Sequence, residues 1–265
     1  MTDASPVPSG PEAVRIADDG PVRIVTLDRP ARRNAVDPAT ADALRAAFEG
    51  FEADPALRVL VLTGAGGVFC AGADLSAVAE GGFTYDPEQP HGPLGPSRMA
   101  LSKPAIAAVE GHAVAGGLEL ALMCDLRVAS DTAVFGVFCR RWGVPLIDGG
   151  TVRLPRLIGQ SRAMDMILTG RPVAAQEALS FGLANRVVPA GEALEAAVAL
   201  ARQIAGFPQL CLATDRDSAL AQWSLPLAQA LAEEGRRGAA PLAQEAANGA
   251  ARFRDGAGRA GSFKD

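Results

Sequence analysis

The chain has 265 residues, 49% of them apolar, and a mean hydropathy of +0.15. It can bury a large core, in one α/β domain or in a main domain with a smaller appendage. A formal net charge of −5, with arginine pairs at 32–33, 140–141 and 236–237 that do not cluster, argues against a nucleic-acid partner, and no apolar run is long enough to span a bilayer.

The elements follow in chain order. Val22–Leu27 and residues 58–63 are β-branched runs that predict strands. Between them Asp37-Pro38 supplies an N-cap and a first helical residue, and Ala41, Leu44, Ala47, Phe48 and Phe51 mark one apolar face, so the unit reads as a β-α-β crossover. Residues 64–75 (GAGGVFCAGADL) form a glycine-spaced turn leading into a helix that begins at Leu75, with Asp74 placed to cap it. Residues 81–96 (GGFTYDPEQPHGPLGP) are the one long loop-like stretch, and loops of that length are usually functional. A strand at 104–109 opens a second glycine turn within residues 109–125 (VEGHAVAGGLELALMCD), followed by a helix at 117–124 and strands at 126–129 and 133–136. After Gly149 helices dominate, at 161–168, 174–180 and 193–204, with a brief strand at Arg186–Val188. From 208 to 253 only helical periodicity remains, expected to break near Pro226 and Pro241. The chain therefore divides into an α/β core and a helical tail that packs on the core or on another subunit.

The cysteines, Cys70, Cys124, Cys139 and Cys211, lack CxxC spacing and read as reduced thiols, with neither a disulfide frame nor a metal site. The first ten residues carry no apolar signal-peptide segment, and the expected compartment is the cytoplasm.

Neither glycine turn has the GxGxxG spacing of a dinucleotide site or the GK[ST] of a P-loop. In Ala115-Gly116-Gly117-Leu118-Glu119 a helix start and a carboxylate lie within one turn. An oxygen bound at the Gly116 or Gly117 N–H would sit close to Glu119. Alternatively Glu119 is a first-turn acid that complements the helix dipole.

Taken together, these blocks resemble the enoyl-CoA hydratase/isomerase (crotonase) family. The resemblance covers Leu27-Asp28-Arg29-Pro30 with Asn34-Ala35, residues 69–75, residues 103–109 with Gly111-His112-Ala113, residues 116–125 and residues 157–170, in order from about 14 to 253. It implies an α/β fold, a crotonase-like spiral of ββα units with a C-terminal helical trimerisation region. The implied division is a flexible N-terminus at 1–12, an acyl-CoA-binding core at 13–190 and the trimerisation region at 191–265. The implied partners are an acyl-CoA substrate and other copies of the chain, as homotrimer or dimer of trimers; composition and spacing add the expectation of no nucleic acid, membrane or metal. No cofactor is implied beyond the coenzyme A of the substrate.

The same resemblance implies that the Ala73 and Gly116 N–H groups form an oxyanion hole for a thioester enolate. Glu119 matches the first of the hydratase's two glutamates, where it activates water. The second is expected 20 residues further on, and Cys139 stands there. Cys139 is either a packing thiol or a weak proton donor. Asp148, in a loop that lines the acyl pocket in the family, is either a substitute acid or the N-cap of the helix after it. Arg32 or Arg33, Ala35, Ala71, Gly72, Asp74, Leu75 and Gly117 are implied to flank coenzyme A. Asp74 and Asp125 also read as structural, and His112 as a core histidine. His91, Tyr85 and Asp86 fall in the loop over the acyl chain, and Phe263 and Lys264 could reach a neighbour's coenzyme A. The expected reaction is hydration of 2-enoyl-CoA thioesters. The alternatives are isomerisation or other enolate chemistry on a CoA thioester, or weak acyl-CoA binding.

Overall fold

The computed structural model describes residues 8–84 and 86–258, so Tyr85, Phe263 and Lys264 lie outside the described residues. Its contacts divide into two units, Met1–Ala205 and Gly206–Asp265.

The first unit opens with strands β1 (Val14–Asp19) and β2 (Val22–Leu27), an antiparallel hairpin with Val14 opposite Leu27. Helix α1 (Pro38–Ala53) starts where its N-cap requires, with Asp37 accepting from the Thr40 N–H at 2.8 Å. It buries Leu44, Phe48 and Phe51 completely, each worth about 1.5–3 kcal/mol of transfer free energy. Strand β3 (Val59–Gly64) pairs parallel with β2, and α2 (Leu75–Ala79) follows, capped by Asp74 through the Ser76 N–H at 3.0 Å.

Two ββα turns come next. Strand β4 (Ala105–Val109) joins the large sheet, β5 (His112–Val114) steps into a small one, and α3 (Gly116–Met123) returns. Strand β6 (Leu126–Ser130) and β7 (Val134–Gly136) repeat the step and end in a 3-10 turn, Phe138–Trp142. An isolated bridge from Cys70 to Ala113 shows that the β3 turn makes the same step in rudiment. Helices α4 (Gly150–Ile158) and α5 (Gln160–Thr169), strand β8 (Val173–Ala174), α6 (Ala175–Ser180), β9 (Arg186–Val188) and α7 (Ala193–Ala205) complete the unit. The large sheet runs β1-β2-β3-β4-β6-β9, parallel except for β1, and the small one β5-β7-β8.

Strand β4 is buried on both faces, as a central parallel strand must be. Ala105, Ala107 and Val109 join the main core with α1 and α3, while Ile106 and Ala108 face Ala197, Val198 and Ala201 of α7. Helix α7 is therefore a wall of the core and belongs to the first unit, which ends at Ala205. The core also starts earlier than residue 13, because Gly10–Ala13 forms a 3-10 turn with Gly10 and Ala13 buried.

The second unit comprises α8 (Gln209–Ala221), α9 (Leu227–Gln244) and α10 (Ala246–Arg254). Its first break falls at Pro226 as expected. Pro241, however, lies inside the last turn of α9, and the break comes at Glu245, whose N–H still reaches the Pro241 carbonyl at 2.9 Å. Among the described residues no single helix is long and apolar enough to cross a membrane, and no group of His, Cys, Asp and Glu is placed to hold a metal ion.

Candidate active site

The two glycine turns meet. Asn34, fully buried, accepts from the Arg29 N–H and donates to the carbonyls of Ala65 and Val68 at 2.9 and 2.6 Å, which pins the first turn to the start of the chain. The Cys70 N–H donates to the His112 carbonyl at 2.9 Å, and the Val114 N–H to that of Cys70 at 3.1 Å, which laces the first turn to β5. Contact is close enough to demand glycine. A Cβ on Gly72, whose φ is +94°, would stand 2.7 Å from the Gly116 nitrogen, and one on Gly117 would stand 2.1 Å from the Cys70 carbonyl oxygen.

Ala115, at φ 54° and ψ −127°, holds a backbone conformation that L residues avoid, at the entry to α3. Its N–H is tied to the Gly136 carbonyl at 2.8 Å, and its carbonyl accepts from Leu118 at 3.0 Å. Ala71, Gly72 and Asp74 all spend their N–H groups, on the Arg33 carbonyl, Cys70 Sγ and the Val36 carbonyl. Among the described residues the N–H groups of Ala73 and Gly116 have no such acceptor, and both residues line one cavity of about 420 Å³.

Glu119 lines the same cavity and is 2% exposed. Its Oε1 accepts from the N–H groups of Asp148 and Gly150 at 2.9 and 2.8 Å, so the carboxylate caps the N-terminus of α4. Both bonds fall on Oε1, leaving Oε2 for the cavity. Burial, and then the negative charge of Asp148, push its pKa up to about 7, opposed by those two N–H bonds and by Arg153. At neutral pH this carboxyl exchanges protons readily in either direction.

Cys139 and Asp148 complete the set of five expected catalytic residues, all of which line this cavity. Burial, with Glu119 adding to it, raises the Cys139 thiol above its usual range and keeps it neutral. Asp148 caps no helix. The N-cap of α4 is Gly149 and the carboxylate at that helix end is Glu119, so the N-cap reading of Asp148 is overturned. Asp148 is raised by its burial, against the pull of Ser97, Leu94, Arg98 and Arg153.

The residues expected along coenzyme A divide. Ala71 and Leu75 line the cavity. Gly72 and Gly117 lie behind the wall, where they let the turns touch. Asp74 is buried against Arg29 and caps α2, and the Ala35 carbonyl accepts from Arg29, so both face the scaffold. Arg32 and Arg33 are exposed. Asp125 accepts from the Ala105 N–H at 2.9 Å, a structural tie. His112 is exposed, its ring edge-on to Phe138 at 6.4 Å, which corrects its expected core placement. Asp86 and His91 line a separate cavity of about 330 Å³ beside α1. Leu94, Ser97 and Arg153, none singled out in sequence, frame the site; only Leu94, in the long loop, stood in a stretch marked as functional.

A family model described as enoyl-CoA hydratase/isomerase matches residues 18–255. The carnitinyl-CoA dehydratase of Salmonella arizonae is 42% identical over 210 residues, covering 76% of this chain and 78% of the relative. That of Salmonella typhi is 39% identical over 234 residues, covering 85% of each. Among solved structures, an enoyl-CoA hydratase from Mycobacterium tuberculosis matches with a TM-score of 0.86 at 36% identity, over 92% of this chain and 96% of that one. A carnitinyl-CoA dehydratase from Mycobacterium avium matches with a TM-score of 0.74 at 41% identity, over 78% and 82%.

Proposed function

The chain belongs to the enoyl-CoA hydratase/isomerase family and is a hydro-lyase of acyl-CoA thioesters, and we propose that it adds water to 2-enoyl-CoA, and removes it in reverse, with one carboxyl group. The observation that carries this reading is the cavity in which two unspent backbone N–H groups, of Ala73 and Gly116, share a wall with Glu119. The thioester carbonyl oxygen sits between those N–H groups. Glu119 Oε2 takes a proton from water as the water oxygen bonds to C3 and the double-bond electrons move onto the carbonyl oxygen. The enolate collapses, and the same proton passes from Glu119 to C2. Each backbone donor contributes about 2.7–4 kcal/mol to holding the enolate. Cys139 stays protonated beside this exchange and packs the wall. Coenzyme A enters and leaves as part of the substrate, and no further cofactor takes part.

Charge narrows the substrate. Among the described residues the only charged side chains lining the cavity are Glu119 and Asp148, both carboxylates, with Phe83, Phe138 and Trp142 in the same lining. Such a wall rejects an anionic acyl end and tolerates a neutral or cationic one. Carnitinyl-CoA, named for the relatives and carrying a quaternary ammonium, is the cationic thioester to compare with crotonyl-CoA. The exposed apolar side chains of the second unit, among them Leu220, Leu227, Leu231 and Leu242, fit burial by further copies of the chain in a trimer.

The test follows the conjugated thioester absorbance of crotonyl-CoA with wild type and Glu119→Gln. The wild type turns over, and the Gln variant loses about 10²–10⁴-fold in rate while still binding CoA esters. Equal rates in the two proteins would overturn the assignment of the proton to Glu119.

A further inference from the structure

One buried carboxylate joins the turn that covers the cavity to the helices that form it. Gly92 and Gly95 close a turn around Pro93 and Leu94, exchanging backbone hydrogen bonds of 2.9 and 3.1 Å. Leu94 rides on that turn and fills the space over Gly116, where an added Cβ would lie 2.2 Å from Leu94 Cδ1. Asp148 Oδ1 accepts from the Leu94 N–H at 3.0 Å and from the Ser97 hydroxyl. The fit is tight, since a Cβ on Gly92 would fall 2.6 Å from the same oxygen. On its other side Asp148 gives its own N–H to Glu119 Oε1. Arg153 Nη1 closes the ring, donating to the carbonyls of Ser97 at 2.7 Å and Asp148 at 3.0 Å. Asp148 is 4% exposed and Ser97 is 0% exposed, so water does not compete for these bonds.

We propose that Asp148 is a positioning residue: its carboxylate latches the Leu94 turn against Gly116, its backbone N–H holds Glu119, and it carries no proton in turnover. This rests on the hydration reading. The ionised form latches best, because a charged Oδ1 accepts its two buried bonds more strongly than a neutral one. The charge of Asp148 still reaches Glu119, which also faces Arg153 and Cys139, and Asp148 itself faces Arg98. Removing that negative charge while keeping an acceptor oxygen separates the two roles.

The experiment measures kcat and KM for crotonyl-CoA from pH 5 to 9, and amide exchange at Leu94, in wild type, Asp148→Asn, Ser97→Ala and Glu119→Gln. Asp148→Asn keeps an oxygen for Leu94 and Ser97 but not its charge, so kcat at its optimum falls by about tenfold, far less than in Glu119→Gln, and the limb set by Glu119 moves to lower pH. Ser97→Ala loosens the latch without touching any charge. Leu94 exchange then quickens by about tenfold and KM rises, while the pH limb stays in place. The proposal is overturned if Asp148→Asn is as inactive as Glu119→Gln at every pH with Leu94 still protected, or if Ser97→Ala leaves Leu94 exchange unchanged. Should Glu119→Gln keep wild-type turnover, the hydration reading fails, and Leu94 exchange alone decides the latch.

Discussion

Glu119→Gln is expected to inactivate the protein and, at alkaline pH, to make it more stable. Burial and the neighbouring Asp148 lift the carboxyl from its ordinary 4.5 to about 7, so the native state binds this proton more tightly than the unfolded chain does. The sign follows directly. No penalty exists below the unfolded value; it grows as pH rises from 4.5 towards 7, and it is complete above 7. At 1.36 kcal/mol per unit, ionised Glu119 destabilises the fold by about 3 kcal/mol above neutrality. Glutamine carries no charge and retains Oε1 as acceptor for the Asp148 and Gly150 N–H groups. The variant should therefore exceed wild type by about 2–3 kcal/mol at pH 8, with the gap closing to under about 1 kcal/mol at pH 5. For a chain of this size that is roughly 5–10 °C in Tm at pH 8. Thermal or urea unfolding of both proteins between pH 5 and 8 measures it. Curves that stay parallel across the range would mean that Glu119 is already ionised at pH 5, and would remove the basis for its double role as base and acid.

Three further perturbations test other parts of the site. Gly72→Ala places a methyl group 2.7 Å from the Gly116 nitrogen at a positive φ; kcat should fall by about 10²–10³-fold, and a wild-type kcat would refute the paired-turn geometry. Cys139→Glu adds a third carboxylate to the wall shared by Glu119 and Asp148, which should raise the hydration rate by supplying a second acid and move the acid limb up by about one pH unit; an unmoved limb would place position 139 out of electrostatic reach of Glu119. Arg29→Met strands Asp37 and Asp74, both ion-paired to the buried guanidinium, and should destabilise by about 3–5 kcal/mol in urea unfolding; a loss under about 1 kcal/mol would refute the coupling.

What was legible in sequence is what side-chain periodicity and capping encode locally. Helix α1 announced itself through Asp37, Pro38 and an apolar face, and Asp74 through the helix it caps. Strand β1 stayed hidden because only Val14 is buried in it, and β5 because three residues inside a glycine turn carry no period. Pro241 misled for a local reason. A proline in the final turn of a helix forfeits one bond and does not have to stop the chain. The five expected catalytic residues that line the cavity were all named from the resemblance, with roles for Ala73, Gly116 and Glu119 and two alternatives each for Cys139 and Asp148. The hydrogen bonds of Asp148 depend on Leu94 and Ser97, some 50 residues away. Ala115 is the opposite case, a residue whose glycine-like φ nothing in its identity foretells.

The missing second carboxylate can now be weighed in energetic terms. Hydration needs a base for the water proton and an acid for C2. A glutamate of ordinary pKa is protonated in only about one part in 300 at neutral pH, a poor acid, so two groups with separated pKa values are the usual solution. Here one group is held near the middle of the range, and at pH 7 it is base and acid in comparable proportion. Asp148 contributes to this without touching the proton, since its charge is the second-largest cause that raises Glu119. Cys139 contributes by default: a neutral thiol in the expected glutamate's place adds no charge that would lift Glu119 beyond neutrality. Placing a carboxylate at 139 while Asp148 remains would overshoot, and the two positions should trade against each other. In the Cys139→Glu protein, Asp148→Asn is therefore expected to bring the acid limb back towards about 7. A limb that stays where Cys139→Glu put it when Asp148→Asn is added would refute a shared electrostatic field.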